Sequence, residues 1–327
     1  MGERRFTEDE LIAEIFAPLA ADGAFGLRDD AALLPLGEAR EIVVTTDALV
    51  SGVHFFPDDP PSLVAKKALR VNLSDLAAKA AEPLGFLLTL ALPPDWTNDW
   101  ARGFASGLAE DAREFACPLF GGDTTATPGL LTISITAFGR ATRFVSRSGA
   151  RPGDRIFVSG TIGDAALGLG VRRGEDFAAR LGEAARAQLL ERYLLPQPRL
   201  PLIAALRDHA SAAMDVSDGL AGDLAKLLRA SGASARVELA RVPLSQAARA
   251  AVALEPALFD RAVTGGDDYE ILCCAAPEAS TAIVQAARQA GVALTEIGAV
   301  AAGAEPPQFF ESSGNIINFS RLSFSHF

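Results

Sequence analysis

The chain has 327 residues, nearly half of them apolar, a length that favours two domains with a sizeable core in each. Its formal net charge of −11 excludes the basic stripe of a nucleic-acid binder, but it admits small anionic substrates if cations neutralise the site. No apolar run reaches the roughly 18 residues of a membrane span, and the charged start MGERRFTEDELIAEIF lacks the apolar core of a signal peptide, so a cytoplasmic protein with no membrane partner is expected.

In chain order, the first element is a helix from Thr7 to about Ala17, with Thr7 and Glu10 forming a capping box. Strand EIVVTT (41–46), helix 62–80, strand 86–93 and helix 98–116 follow. A short strand ends in GGD at 121–123, and another covers 130–141. The Gly-, Pro- and Arg-rich stretch SRSGARPGDRIFVSG (146–160) is the best boundary, dividing the chain into domains 1–148 and 149–327. Behind it come strand RIFVSG, a helix starting at GDAALGLG, a long helix at 178–194, a Pro-rich turn, a further helix, and the stretch MDVSDGLAGDLAKLL (214–228). RVELARVPL, AVTGGDDYEILCCAA and LTEIGAV read as later strands. Strands alternate with helices in both halves, so two α/β domains with mixed sheets are expected. Three cysteines are too few for a disulfide framework. Cys273 and Cys274 lie in an apolar strand pattern, where neighbours point to opposite faces, and read as core residues of a reducing compartment.

The unusual feature is a series of aspartates at the expected ends of elements: Asp29 and Asp30 in GLRDDAALL, Asp47 after VVTT, Asp75 in VNLSD, Asp123 in FGGD, Asp215 and Asp218 in MDVSDGL, and Asp267 and Asp268 in TGGDD. Singly, each has a dull reading as turn chemistry or as a helix cap; Ser217 or Asp218, for instance, could cap the helix that follows. Convergence of several would need a cation, because unpaired buried carboxylates cost several kcal/mol. Lysines near these loops are few. Hard divalent ions such as Mg²⁺ suit carboxylate and hydroxyl oxygens, including those of Thr45 and Thr46. Paired glycines at 121–122 and 265–266 allow close backbone approach to a phosphate ligand. Neither a P-loop G-x-x-x-x-G-K-[ST] nor a kinase H-R-D signature occurs. A non-catalytic acidic metal-binding protein is the rival from another class, and it predicts metal binding with no nucleotide requirement.

Taken together, DDAALL, TTDALVSGVHF, VNLSDLAA, FGGDTT, SRSGARPGD, MDVSDGL, GGDDYE and the terminal FSHF resemble the thiamine-monophosphate kinase family, from about residue 7 to the last residue. The resemblance implies a two-domain architecture like that of aminoimidazole ribonucleotide synthetase, with N-terminal domains paired in a homodimer. It implies Mg²⁺-dependent phosphorylation of thiamine monophosphate by ATP, the last step of thiamine diphosphate formation. The alternative is another ATP-dependent enzyme of this architecture, an aminoimidazole ribonucleotide or selenophosphate synthetase. By resemblance, Asp30, Thr45, Thr46, Asp47, Asp75, Asp123, Asp215 and Asp218 are Mg²⁺ ligands, direct or through water. Phe104, Gly122, Asp123, Arg147 and Ser217 are ATP contacts, Phe104 meeting the adenine. His54, Asp267 and Phe324 contact thiamine phosphate. No residue is implied as a general base. Three positions depart from the family pattern: Arg28 stands for a glycine, Asp267 for a glutamate, and Ser323 for a glycine.

Overall fold

The structure, a computed structural model, describes residues 6–21 and 41–324. The chain divides into two compact units. The break falls between Thr142 and Arg143, and the short stretch Ala77–Ala80 is grouped with the second unit.

The first unit opens with α1 (Glu8–Leu11), which continues through a wider helical turn at Ile12–Phe16. The capping box is present: the Thr7 N–H donates to Glu10 Oε2 at 2.7 Å, and the Glu10 N–H donates to Thr7 Oγ1 at 3.3 Å. Then come β1 (Glu41–Val50), α2 (Pro61–Ala78), β2 (Glu82–Leu92), α3 (Asn98–Glu114), β3 (Leu119–Ala126) and β4 (Thr132–Ala141). The sheet order is β1-β4-β2-β3, antiparallel except for the β2–β3 pair.

One face of this sheet is covered. Phe86, Leu88, Leu90 and Leu92 of β2 and Ile133, Ile135 and Ala137 of β4 are buried, while their alternate neighbours are partly or fully exposed. Leu76 of α2 lies on the covered face against Gly139. A buried Arg70–Asp111 pair, with Nε···Oδ2 at 2.6 Å, ties α2 to α3. The N-terminus of α3 is capped by Thr97 Oγ1, which accepts from the Trp100 N–H at 3.1 Å.

The second unit is built on a seven-stranded sheet, in the order β11-β10-β7-β9-β5-β8-β6. Its elements are β5 (Arg155–Ser159), α4 (Asp164–Arg173), α5 (Asp176–Arg180), α6 (Glu183–Leu194), α7 (Ile203–His209), β6 (Ala212–Asp215), α8 (Leu220–Ser231), β7 (Ser234–Glu238), α9 (Gln246–Leu254), α10 (Leu258–Thr264), β8 (Ile271–Ala275), α11 (Ser280–Gln289), β9 (Leu294–Ala301), β10 (Gln308–Phe310) and β11 (Ile316–Ile317). Cys274 joins the core cluster that includes Leu220, Leu224 and Leu227 of α8, whereas Cys273 joins the cluster with Leu206 of α7 and Ile283 of α11. The adjacent cysteines therefore do serve opposite faces of a buried strand. Burial holds both thiols protonated, that of Cys273 pushed up to about 12.

The structure corrects several element boundaries. The long helix expected at 178–194 is two helices, broken at Leu181–Gly182. In the stretch read as one strand at 262–276, Ala262–Thr264 ends α10 and the strand begins only at Ile271. β1 runs on to Val50 because its whole length pairs with β4, from Glu41↔Ala141 to Val50↔Thr132. Asp47 and Asp123 therefore sit inside strands rather than at their ends, and Asp75 lies in the last turn of α2. Of the aspartates expected at element ends, Asp215 does close its strand.

Candidate active site

In the first unit, Thr45 and Asp47 share the covered face of β1 with buried Val43 and Leu49. There the Thr45 hydroxyl donates a short hydrogen bond to Asp75 Oδ2 of α2. Thr46 faces the other way. Its hydroxyl donates to the Ile135 carbonyl and accepts from Thr136 Oγ1, both at 3.1 Å. Asp123 is in register with exposed Thr89 of β2 and lies on that same open face. Gly122 is required by space: a Cβ there would sit 1.7 Å from the Leu88 carbonyl oxygen. Sheet register thus joins Thr45, Asp47 and Asp75 on one face and puts Thr46 and Asp123 on the other. Asp30 lies outside the described residues.

His54 follows β1 in a tight turn. Its Nδ1 accepts from the Val50 N–H at 2.9 Å, and its carbonyl accepts from Lys67 Nζ at 3.0 Å. With Nδ1 engaged as an acceptor, the neutral ring carries its proton on Nε2. Phe104 is wholly enclosed in the first unit's core, stacked on Trp100 with centroids 5.0 Å apart. Its ring has no open face for an adenine in this conformation.

In the second unit, β6 delivers Asp215 to a loop, Val216–Gly219, that leads into α8. Neither Ser217 nor Asp218 caps the helix; the cap position is Gly219, with φ 118°. Asp223, one turn into α8, does the capping from inside. Its Oδ2 accepts the N–H groups of Asp218 (2.9 Å) and Gly219 (3.1 Å). Lys226 then bridges two acids, meeting Asp223 Oδ1 at 2.8 Å and making a short contact to Asp218 Oδ2. Burial raises the Asp223 carboxyl above its ordinary range, opposed by Lys226. Burial works to lower Lys226, but its hydrogen bonds to Asp218 and Asp223 prevail and raise it.

A second loop is stapled to the first: the N–H groups of Asp267 and Tyr269 donate to the carbonyls of Ser217 and Val216, each at 2.8 Å. This pairing holds Asp267 at φ 75°. Aspartate, like asparagine, visits that left-handed region more readily than most side chains with a Cβ.

The two acids of DDYE that follow Asp267 are structural. Asp268 is buried and accepts from the Gly163 and Ala165 N–H groups at the start of α4 (2.6 and 3.2 Å). Glu270 is buried against Arg192 (2.8 Å), Arg199 and the Ser159 hydroxyl (2.5 Å). Arg147 is exposed; its carbonyl accepts from Ser231 Oγ at 3.1 Å, at the end of α8. Phe324 is half exposed, and its N–H donates to the Asp218 carbonyl at 3.0 Å.

Among the described residues, no three His, Cys, Asp or Glu side chains form a ready metal cage. The donors present still suit Mg²⁺. They are hard oxygens, and Mg²⁺ is commonly held by one or two carboxylates, with waters and substrate phosphates completing its shell. In this loop the ammonium of Lys226 already neutralises part of the charge of Asp218 and Asp223.

Asp223 and Lys226, which hold the Asp218–Gly219 loop, carry one weak signal in the sequence: their i, i+3 spacing on one helix face in GDLAK. Arg192 and Arg199 had no local signal, since their partner Glu270 is more than 70 residues away.

Residues 28–141 match the N-terminal domain of AIR synthase related proteins, and residues 151–306 match the C-terminal domain. A thiamine-monophosphate kinase of Caulobacter vibrioides is 43% identical over 98% of this chain and 91% of its own length. The crystal structure of thiamine-monophosphate kinase from Stenotrophomonas maltophilia superposes with a TM-score of 0.81 at 37% identity, covering 94% of this chain and 96% of that one. The structure of AaThiL complexed with AMPPCP and TMP covers 100% of both chains at 30% identity, with a TM-score of 0.78. With two aligned domain matches and full-length relatives at this identity, the chain belongs to the thiamine-monophosphate kinase family.

Proposed function

We propose that this protein transfers the γ-phosphoryl group of ATP to thiamine monophosphate, giving thiamine diphosphate and ADP. The observation that carries the reading is the full-length likeness to AaThiL, solved with AMPPCP, an ATP analogue whose β–γ bridge is a methylene, and with TMP. The terminal P–O bond of ATP breaks toward ADP while a bond forms to the acceptor's phosphate oxygen, in line and without a phospho-enzyme. The acceptor is a phosphate monoester with a second pKa of about 6, already ionised near neutral pH. No general base is needed, which suits a chain with three histidines. The barrier is repulsion between two polyanions, met by positioning and charge stabilisation.

In the first unit, Thr45, Asp47 and Asp75, with Asp30, are proposed to hold Mg²⁺; in the second, Asp215 and Asp218 do. Thr46 and Asp123, also implied as ligands by the resemblance, point to the opposite face of the sheet and are not assigned to that group. When bound, Mg²⁺ neutralises phosphate charge and lowers the repulsion. The Thr45–Asp75 hydrogen bond holds the two oxygens next to each other on the covered face. Gly122 and Ser217 offer backbone and hydroxyl to nucleotide phosphates, and exposed Arg147 offers a two-pronged donor. His54 is proposed to contact the substrate phosphate. Asp267 and Phe324 flank the Ser217–Asp218 loop and are proposed to meet the thiamine moiety, Phe324 against a cationic or pyrimidine ring.

The open face of the first sheet carries exposed Ile42 and Val44 on β1. It is the surface on which a homodimer would form.

The test is direct. Purified protein with ATP, Mg²⁺ and thiamine monophosphate should yield thiamine diphosphate by chromatography, and free thiamine should yield none. ATP hydrolysis or binding without that product would refute the substrate. A labelled phosphoprotein trapped from ATP alone would refute direct transfer.

A further inference from the structure

The last described stretch of the chain is laid on the second unit. Ile317, Phe319 and Leu322 pack on the core cluster that contains α8, and Phe319 meets Phe309 edge-on with centroids 5.2 Å apart. The next two residues run along the start of α8. A Cβ built on Gly222, a buried position in the first turn of that helix, would lie 2.3 Å from Ser323 Cβ, 2.9 Å from Ser323 Oγ and 3.0 Å from the Leu322 carbonyl oxygen. One residue on, the Phe324 N–H is bonded to the Asp218 carbonyl.

Glycine is a poor choice for a helical position by propensity, and alanine would be preferred on that ground alone. The space needed by Ser323 explains it. The pair is complementary: the Cβ absent at 222 makes room for the one present at 323.

We propose that Gly222 and Ser323 form a coupled seat that fixes the C-terminal segment on α8 and thereby sets where Phe324 stands beside the Ser217–Asp218 loop. Gly222 is then a positioning residue for the thiamine-bearing substrate. The seat itself rests on geometry; its role in substrate placement rests on the reading of Phe324 given above.

Trypsin reports the seat independently of catalysis, because exposed Arg321 lies just before the seated residues. In Gly222→Ala, cleavage after Arg321, followed as loss of the C-terminal peptide by mass spectrometry, should speed up about tenfold. KM for thiamine monophosphate should rise by a similar factor of about ten, with KM for ATP unchanged. Adding Ser323→Gly to Gly222→Ala should restore most of both values, because it removes the 2.3 Å collision and leaves only the 3.0 Å approach to the Leu322 carbonyl oxygen. Adding Ser323→Ala should restore neither, because that Cβ remains. Melting curves of all variants establish that each is folded. Wild-type cleavage in Gly222→Ala, or equal behaviour of the two double variants, overturns the seat. The full rescue pattern in cleavage with KM for thiamine monophosphate unmoved overturns its role in substrate placement. Thiamine diphosphate formation in every variant keeps either failure distinct from failure of the kinase reading.

Discussion

Lys226 is the most informative single residue to change. Replacing it with methionine keeps most of the length of the side chain and removes the charge. Two contacts are lost. The one to Asp218 joins groups that are 30% and 35% exposed, and such a pair is worth at most about 1 kcal/mol. The one to Asp223 involves a carboxylate with 0% exposure. A charge-assisted hydrogen bond to such a group is worth about 1.5–3 kcal/mol. The full 3–5 kcal/mol range for orphaning a buried charge does not apply, because Asp223 Oδ2 keeps the N–H groups of Asp218 and Gly219.

The expected loss is therefore about 2–3 kcal/mol, which for a unit of this size lowers Tm by about 5–10 °C. The two acids hold Lys226 above its ordinary range. A cation with a raised folded pKa contributes fully below its unfolded value and loses that contribution as pH rises through the folded one, so a measurement near pH 7.5 captures all of it. Calorimetry in EDTA and in Mg²⁺ is the assay. Mg²⁺ should recover more of the variant's Tm than of the wild type's, because Asp218 no longer has its lysine. A Tm in EDTA within about 1 °C of wild type would refute the claim that Lys226 stabilises this loop by neutralising its acids.

Other expectations follow from the same geometry. Thr45→Val removes the donor to Asp75 and should lower kcat tenfold or more, by rough reckoning, with Tm little changed, whereas Thr45→Ser should retain most activity; equal kinetics for Val and wild type would remove Thr45 from the site. Glu270→Gln leaves Arg192 and Arg199 facing a neutral group in a buried pocket and should cost about 3–5 kcal/mol in urea unfolding; a loss below about 1 kcal/mol would mean those arginines find other partners. Burial lifts the thiols of Cys117 and Cys273 from 9.0 to about 12 and that of Cys274 upward as well. At pH 8 their thiolate populations are thus far below those of free cysteine. A disulfide reagent should label none of the three in the folded protein and all three in guanidinium, and rapid labelling of any one in the native state would contradict its burial.

The sequence alone determined the class of the fold and the family. Period-2 and period-3.6 apolar patterns located most strands and helices, because those patterns follow from which face of each element must be buried. The Thr7–Glu10 cap and the opposed faces of Cys273 and Cys274 were legible for the same local reason. The order of short acidic motifs marked the family.

Pairing over long separations was decided only by the tertiary structure. Whether Asp47 ended β1 or lay within it depended on β4, nearly ninety residues later. Register then put Asp123 and Thr46 on the face opposite Asp47, a distinction that motif reading does not carry. The same limit hid the separate duties of Asp267, Asp268 and Glu270 in one short run, since their partners lie on α4, α6 and the loops around them. It also hid the complementarity of Gly222 and Ser323. A glycine in a helix looks like a weakness until the chain returns a hundred residues later to occupy the space it leaves.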